Sequence, residues 1–239
     1  MRYYQFTNKG GRERNEDSVS CFADAKKHTG IFILADGLGG HGCGEVASQL
    51  IVRSMMDKLR RAAGIDDGIM RESMKATNDL LLAAQGKDPK YKRMKSTAVI
   101  LCVKKNDIIC AHIGDSRLYH FGSGGAQFIT ADHSVSYTKY RQRQISYDEI
   151  GLDEDRSSLL RVMGNSEKFE PEITALTGTG NAFLLCSDGF WEYVKKDEMF
   201  IDLLKSENPK EWTEYMLLRH IERAEAKNDN FSSVAVFLD

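Results

Sequence analysis

"IFILADGLGGHGCGEVAS", residues 31–48, decides how the chain is read. An apolar run, 31–35, ends in Asp36; glycines follow at 37, 39, 40, 42 and 44, with His41 among them. Glycines 37, 39 and 42 also spell G-x-G-x-x-G between a strand pattern and a helix pattern. Two chemistries compete for this stretch. In a dinucleotide loop the glycines let backbone approach a pyrophosphate, and a second strand ends in an acid about 20 residues further on. Here helical spacing continues through Gln85, and Asp57, near the required distance, falls inside a helix. The dinucleotide reading is weak, and Asp36 becomes the better clue because its setting recurs. "LLCSDG" (184–189) repeats "FILADG" (32–37): an apolar strand ending in Asp-Gly.

Asp-Gly also favours hairpin turns. Neither copy is followed promptly by a matching strand, however; "LGGHGCGE" and "FWEYVKKDE" read as loops running into helices. Two carboxylates at strand ends, each beside a permissive glycine, suit a hard cation approached by side-chain and backbone oxygens. Further acids stand in comparable places. Glu16 and Asp17 open the strand pattern 18–24, Asp115 follows the strand 107–113, and Asp229 precedes the strand 233–238. Singly, each reads as a cap or turn residue. Together with Asp36 and Asp188 they form an oxygen-ligand set for Mg²⁺ or Mn²⁺. Thiolate or multi-histidine spacings for zinc are not visible.

The rest of the chain frames this set. Its 239 residues contain three prolines and no Gly/Ser- or Pro-rich linker, which predicts a single domain over 1–239. A formal net charge of -2 offers no electrostatic case for nucleic acid or an anionic membrane. Five cysteines without a C-x-x-C pair suit a reduced, cytoplasmic setting, and the N-terminus lacks the apolar stretch of a signal peptide. Strands are expected at 31–35, 97–103, 107–113, 117–121, 182–187 and 233–238, and a weaker one at 18–24. The pair 97–103 and 107–113 predicts a hairpin through "KKN". Helical spacing predicts helices from Glu45 to Arg61 through Ala47, Ile51, Met55 and Leu59, and from Asp67 to Gln85 through Ile69, Ser73, Ala76, Leu80 and Ala83. A third opens at Pro209 with Leu217, Ile221 and Ala224 on one side, and a shorter one covers 195–205. "FGSGGAQF" (121–128) reads as a Gly-rich turn. Two successive helices followed by a run of strands argue for an α+β fold with antiparallel sheets, not for β-α-β alternation.

Eight stretches, in order and nearly end to end, carry a family resemblance. They are "GGRERNEDS" (10–18), "ADGLGGHGCGEVAS" (35–48), "STAV" (96–99), "HIGDSRLY" (112–119), "TADHS" (130–134), "RVMG" (161–164), "LLCSDGFWE" (184–192) and "NDNFSSVAV" (228–236). The chain resembles the metal-dependent type 2C (PPM) protein serine/threonine phosphatases in their compact bacterial form. That resemblance implies a four-layer α-β-β-α sandwich: two antiparallel sheets flanked by helix pairs, with the metal site at one edge. It implies two core Mn²⁺ or Mg²⁺ ions and a third, weaker one. Asp36 would bridge the core ions, the Gly37 carbonyl would bind the second, and Asp188 and Asp229 would complete the first. Asp17, with Glu16 beside it, would hold metal-bound water, and Asp115 would bind the third ion. Arg12 would bind the substrate phosphate, and His41 would be the general acid, with Ser187 and Asn230 in support. The implied reaction is hydrolysis of phosphoserine or phosphothreonine in proteins by a water or hydroxide shared between the metals. The implied partners are phosphorylated proteins made by a serine/threonine kinase in signalling; a cytoplasmic monomer is the default expectation.

The chemistry suits the residues. A phosphate monoester resists nucleophiles, and paired cations offset its charge and lower the pKa of water toward ~7. The short arm of Asp keeps a small ion close, the planar fork of Arg matches two phosphate oxygens, and a histidine can protonate the leaving oxygen near neutral pH. The glycines let backbone pass close to the metals. His133 reads as structural. Cys43, beside the site, is either an oxidation-sensitive thiol or a space-filling small residue. In the segment 135–160, which matches the family's flap over the substrate groove, Arg143-Gln144 stands where many relatives have a glycine. Lys139, Arg141 and Arg143 there form either a solvated face or a surface selecting acidic or multiply phosphorylated segments. The alternatives are a catalytically inactive phosphoprotein-binding relative, a dinucleotide-binding oxidoreductase, and a hydrolase of small phosphomonoesters. The first of these would be expected to lack a ligand acid, and all are present.

Overall fold

A computed structural model of the chain describes residues 1–39, 43–177 and 180–238. The run 31–35 lies in β3 (Thr29–Leu38), which is buried continuously from Gly30 to Ala35. A strand covered on both faces loses the apolar/polar alternation of a half-exposed one. Period two instead sorts its side chains between two cores. Ile31, Ile33 and Ala35 face the layer containing α1 (Cys43–Arg61) and α2 (Asp67–Lys87), while Phe32 and Leu34 face the opposite sheet.

β3 pairs antiparallel with β2 (Asp17–Asp24) on one side and β5 (Ala98–Lys104) on the other, and its end pairs with β4 (Lys95–Ser96). β6 (Asp107–Ile113) and β9 (Glu172–Ala175) extend this sheet. The opposite sheet runs β1 (Arg2–Asn8), β11 (Phe231–Phe237), β10 (Ala182–Cys186), β7 (Arg117–Gly122) and β8 (Gly125–Ile129). Val99 and Leu101 meet Phe183, Leu185, Val234 and Val236 between the sheets. On the outer face of the second sheet, Leu184 and Ala235 pack against α4 (Asp188–Trp191), α5 (Lys196–Lys205) and α6 (Pro209–Arg223) through Phe190, Met199, Trp212 and Met216. The layers are therefore α-β-β-α, as expected. Among the described residues, no helix is long and apolar enough to cross a membrane.

Three expectations are corrected. α2 buries Met70, Ser73, Met74, Thr77, Asn78 and Leu81, whereas Leu80 is 48% exposed. Its inner face is thus rotated from the expected one, because the two methionines, flexible and polarizable, fill the gap against the sheet. α6 likewise buries Trp212, Thr213, Met216 and His220, and Ile221 is 70% exposed. The large indole sets its rotation, with Nε1 donating to the Met199 carbonyl at 2.8 Å. "FGSGGAQF" is more than a turn: it is the β7–β8 hairpin, closed at Gly122 and Gly125.

Following β8, α3 (Val135–Arg141) stops in a way that explains the Arg143 departure. Arg143 N–H donates to the Tyr140 carbonyl and Gln144 N–H to the Lys139 carbonyl, both at 2.9 Å. This is the Schellman arrangement, whose turning residue is left-handed and usually glycine; Arg143 has φ 61°. Replacing Arg143 by glycine is expected to stabilise the protein by about 0.5–1 kcal/mol, raising Tm by about 1–4 °C. An unchanged or lower Tm in a thermal scan would contradict that account. Lys139, on the same helix, is committed to Asp153 and Asp155, each at 2.9 Å.

Candidate functional site

The predicted acids converge at one end of the sandwich because each stands where a strand ends or begins. Asp17 and Asp36 are directly opposite in the β2–β3 register. Asp188 follows β10, Asp229 precedes β11, and Asp115 occupies the turn between β6 and β7. Asp36, Gly37, Asp115, Asp188 and Asp229 line one cavity of about 590 Å³, together with Arg12, Arg14, Glu16 and Asn230 and, from the segment after α3, Ser157 and Leu159. Asp17 lies behind this wall, 6% exposed.

The backbone around these acids is held at several points. The Asp36 carbonyl accepts from Thr97 N–H at 2.9 Å and from the Ser96 hydroxyl at 2.7 Å, while its N–H donates to Thr97 Oγ1 at 3.1 Å. Gly37 has no room for a side chain: a Cβ would stand 2.1 Å from the Gly44 carbonyl oxygen and 2.7 Å from that of Glu16. Asn230 knots the loop carrying Arg12 to the acid beside it. Its Nδ2 donates to the Lys9 and Arg14 carbonyls at 2.8 and 2.9 Å, and its Oδ1 accepts from Glu16 N–H at 2.7 Å. Ser187 donates its hydroxyl to Asp17 Oδ2 at 2.8 Å. The Asp115 carbonyl accepts from Trp191 Nε1 at 3.0 Å, and Trp191 is itself stacked by the Arg117 guanidinium, 3.4 Å from a ring centroid. Arg117 is held by Asp132 through two hydrogen bonds of 2.8 and 2.6 Å, and its Nη1 donates to the Tyr119 and Tyr147 hydroxyls.

So many carboxylates in one place repel one another. Burial, then Asp17, Asp188, Asp115 and Asp229, hold Asp36 well above the usual carboxylate range. Burial and then Asp188 do the same to Asp115, and burial and then Asp229 raise Asp188. The Asp36 and Asp188 carboxyls lie within hydrogen-bonding reach of each other. Asp17 is pushed up to about 7, chiefly by burial, against the pull of its hydrogen bonds to Ser232 and Ser187. Its Oδ1 is buried without a hydrogen-bond partner among the described residues. Arg12 meets part of this charge, with Nη2 2.7 Å from Asp229 Oδ2. A hard divalent cation answers the rest. The donor set is all oxygen, the charge is in excess, and Gly44 has no side chain to cover the Gly37 carbonyl oxygen, from which a Cβ there would stand 2.5 Å. The residues present therefore fit Mn²⁺ or Mg²⁺.

His41 lies outside the described residues. Cys43 is buried and donates its thiol to the Lys90 carbonyl at 3.0 Å. Sequence reading missed the roles of Ser96, Thr97, Arg117, Asp132 and Trp191. It also missed that His112, His133 and Glu172 meet: His112 and Glu172 are register partners across β6 and β9, and the two imidazoles stack at 4.6 Å. A period-two count along β6 puts His112 on one face but cannot say what returns to stand beside it.

Comparison with known proteins bears on this geometry. Residues 9–217 match the model of a family described as Protein phosphatase 2C. The chain is 32% identical over 202 residues to the serine/threonine phosphatase stp of Listeria welshimeri, covering 82% of this chain and 79% of that one. The crystal structure of the Mycobacterium tuberculosis serine/threonine phosphatase PstP/Ppp superposes with a TM-score of 0.86 at 28% identity, covering 100% of this chain and 98% of that one. The catalytic domain of PstP in complex with two manganese ions gives a TM-score of 0.85 at 26% identity, with the same coverage.

Proposed function

The chain belongs to the protein phosphatase 2C family and is a metal-dependent serine/threonine protein phosphatase, and from that premise we propose how its own residues divide the work. One observation carries the reading: acids from five separate stretches of chain are brought to a single cleft, with an arginine at 2.7 Å from one of them. Asp36, the Gly37 carbonyl, Asp188 and Asp229 would hold the two core ions, Asp115 would hold a third, and Asp17, behind them, would hold metal-bound water. When bound, Mn²⁺ or Mg²⁺ supplies charge neutralisation and activates water for attack on phosphorus.

The protein's part is to place and to protect. Arg12 directs its fork at phosphate oxygens. Thr97 and Ser96 fix the backbone of Asp36, so the carboxylate needs little reorganisation when charge develops. Asn230 keeps the Arg12 loop in step with Asp229. His41 donates a proton to the departing serine or threonine oxygen. The substrates are phosphoproteins made by an opposing serine/threonine kinase. The enzyme acts as a cytoplasmic monomer in signalling, as one domain spanning 1–239, without nucleic acid or membrane.

The test is phosphate release from phosphoserine and phosphothreonine peptides by the purified protein. Turnover with Mn²⁺ that EDTA abolishes is expected. A folded protein that binds these peptides without turnover in any divalent metal would overturn the catalytic reading.

A further inference from the structure

We propose that His133 is a positioning residue for the cleft, clamping both backbone groups of Gly114 and thereby fixing the turn that carries Asp115. The inference rests on the metal-ligand reading of Asp115 and Asp36 above. Two contacts make the clamp. His133 N–H donates to the Gly114 carbonyl at 2.9 Å, and Gly114 N–H donates to His133 Nδ1 at 3.2 Å. Gly114 needs such a hold: it has φ 103°, and a Cβ there would stand 2.6 Å from the Thr97 side chain. Thr97 is the residue that fixes the Asp36 backbone and shares a 2.7 Å hydrogen bond with Ser116. Displacing Gly114 therefore moves two acids: Asp115 directly, and Asp36 through Thr97.

The surroundings fix which nitrogen accepts. Nδ1 faces an N–H donor and so carries the lone pair. Nε2 carries the proton and faces Glu172 Oε2 at 3.4 Å, with Arg161 Nη1 also at 3.4 Å. His112 stacks on the ring, and its own Nε2–H donates to the Ala131 carbonyl at 2.8 Å. Burial, with His112 and Arg161 adding to it, pushes His133 down to about 3, so the ring stays neutral. This arrangement also decides against the other reading of the trio, a soft-metal site. His112, His133 and Glu172 lie close enough to hold an ion, but both Nε2 atoms are donors in the arrangement described, and a metal needs their lone pairs.

The experiment combines ring spectroscopy with three variants. In ¹⁵N-histidine-labelled wild type, Nδ1 of His133 is expected in the unprotonated range and Nε2 in the protonated range, and added Zn²⁺ leaves both unmoved. His133→Asn puts an amide oxygen where Nδ1 stood and keeps the acceptor; His133→Gln and His133→Leu keep more bulk but lose it. With Mn²⁺ and p-nitrophenyl phosphate, the asparagine variant is expected to hold kcat within about threefold of wild type. The other two are expected to lose about 10–100-fold in kcat, with a higher Mn²⁺ requirement and little change in KM. A packing role predicts the reverse ranking, with leucine and glutamine better than asparagine, and that ranking would overturn the clamp. So would a protonated Nδ1 or a Zn²⁺-shifted ring. Wild type inactive with Mn²⁺ would instead refute the phosphatase reading, and the ring signals would still decide the clamp.

Discussion

Asp36→Asn is expected to cut Mn²⁺-dependent turnover by ~10³-fold or more while raising the melting temperature of the same protein in EDTA. The two effects share a cause. Asp36 stands among Asp17, Asp188, Asp115 and Asp229, and its charged form is opposed by burial and by all four. Without a cation that arrangement is a liability, and an uncharged amide of the same shape relieves it. Relief of about 1–2 kcal/mol corresponds to roughly 2–8 °C for a chain of this size. With a cation the same charge is the site's purpose. Losing several kcal/mol of transition-state stabilisation costs three decades at 1.36 kcal/mol per decade. Activity assays and thermal scans with and without EDTA check both halves. A variant that loses activity and is also less stable in EDTA would show that Asp36 serves the fold instead.

Raising the pH from 5 to 7.5 is expected to destabilise the protein in EDTA, which is the opposite of the usual behaviour of paired carboxylates. Asp17 rises from 3.8 to about 7 on folding, through burial first and then Asp188 and Asp229. Between those values the native state keeps a proton that the unfolded chain has released. More protons on the native state make the slope of stability against pH negative. One such group is worth up to about 1.4 kcal/mol per pH unit, falling to half that at its native value, so between pH 5 and 7 Asp17 alone removes roughly 2 kcal/mol. Asp36, Asp115 and Asp188 are shifted in the same direction and add to the fall. Mn²⁺ in excess should remove the slope, since it binds the native, deprotonated cluster, and Asp17→Asn should lessen it without metal, leaving the part due to Asp36, Asp115 and Asp188. A Tm in EDTA that is level or rises over this range would contradict the account of the buried acids.

How much of this was legible in the sequence depended on the range of the physics involved. The strands could be read because β3 and β6 are held by apolar side chains whose types announce burial. The acids could be read because Asp-Gly at two strand ends is a local pattern. Helix rotation could not: on α2 and α6 the buried stripe is chosen by Met70, Met74, Trp212 and Met216, against which neighbouring Leu80 and Ile221 compete with equal hydrophobicity. β1, β8 and β9 were missed because they carry exposed or half-buried positions and draw their order from partners far along the chain. The supports of the cleft were hidden for the same reason. Nothing local to His133 says that Gly114 will lie beside it, and nothing local to Asn230 says that it will hold residues 9, 14 and 16.

The most direct test of the central claim, that these acids are a two-metal centre, is an anomalous-difference map at the manganese edge from crystals of this protein grown with Mn²⁺. Two strong peaks are expected in the cleft, one contacting Asp36, Asp188 and Asp229 and one contacting Asp36 and the Gly37 carbonyl. No peak is expected between His112, His133 and Glu172. A cleft without manganese, or manganese held by that histidine pair instead, would contradict that claim.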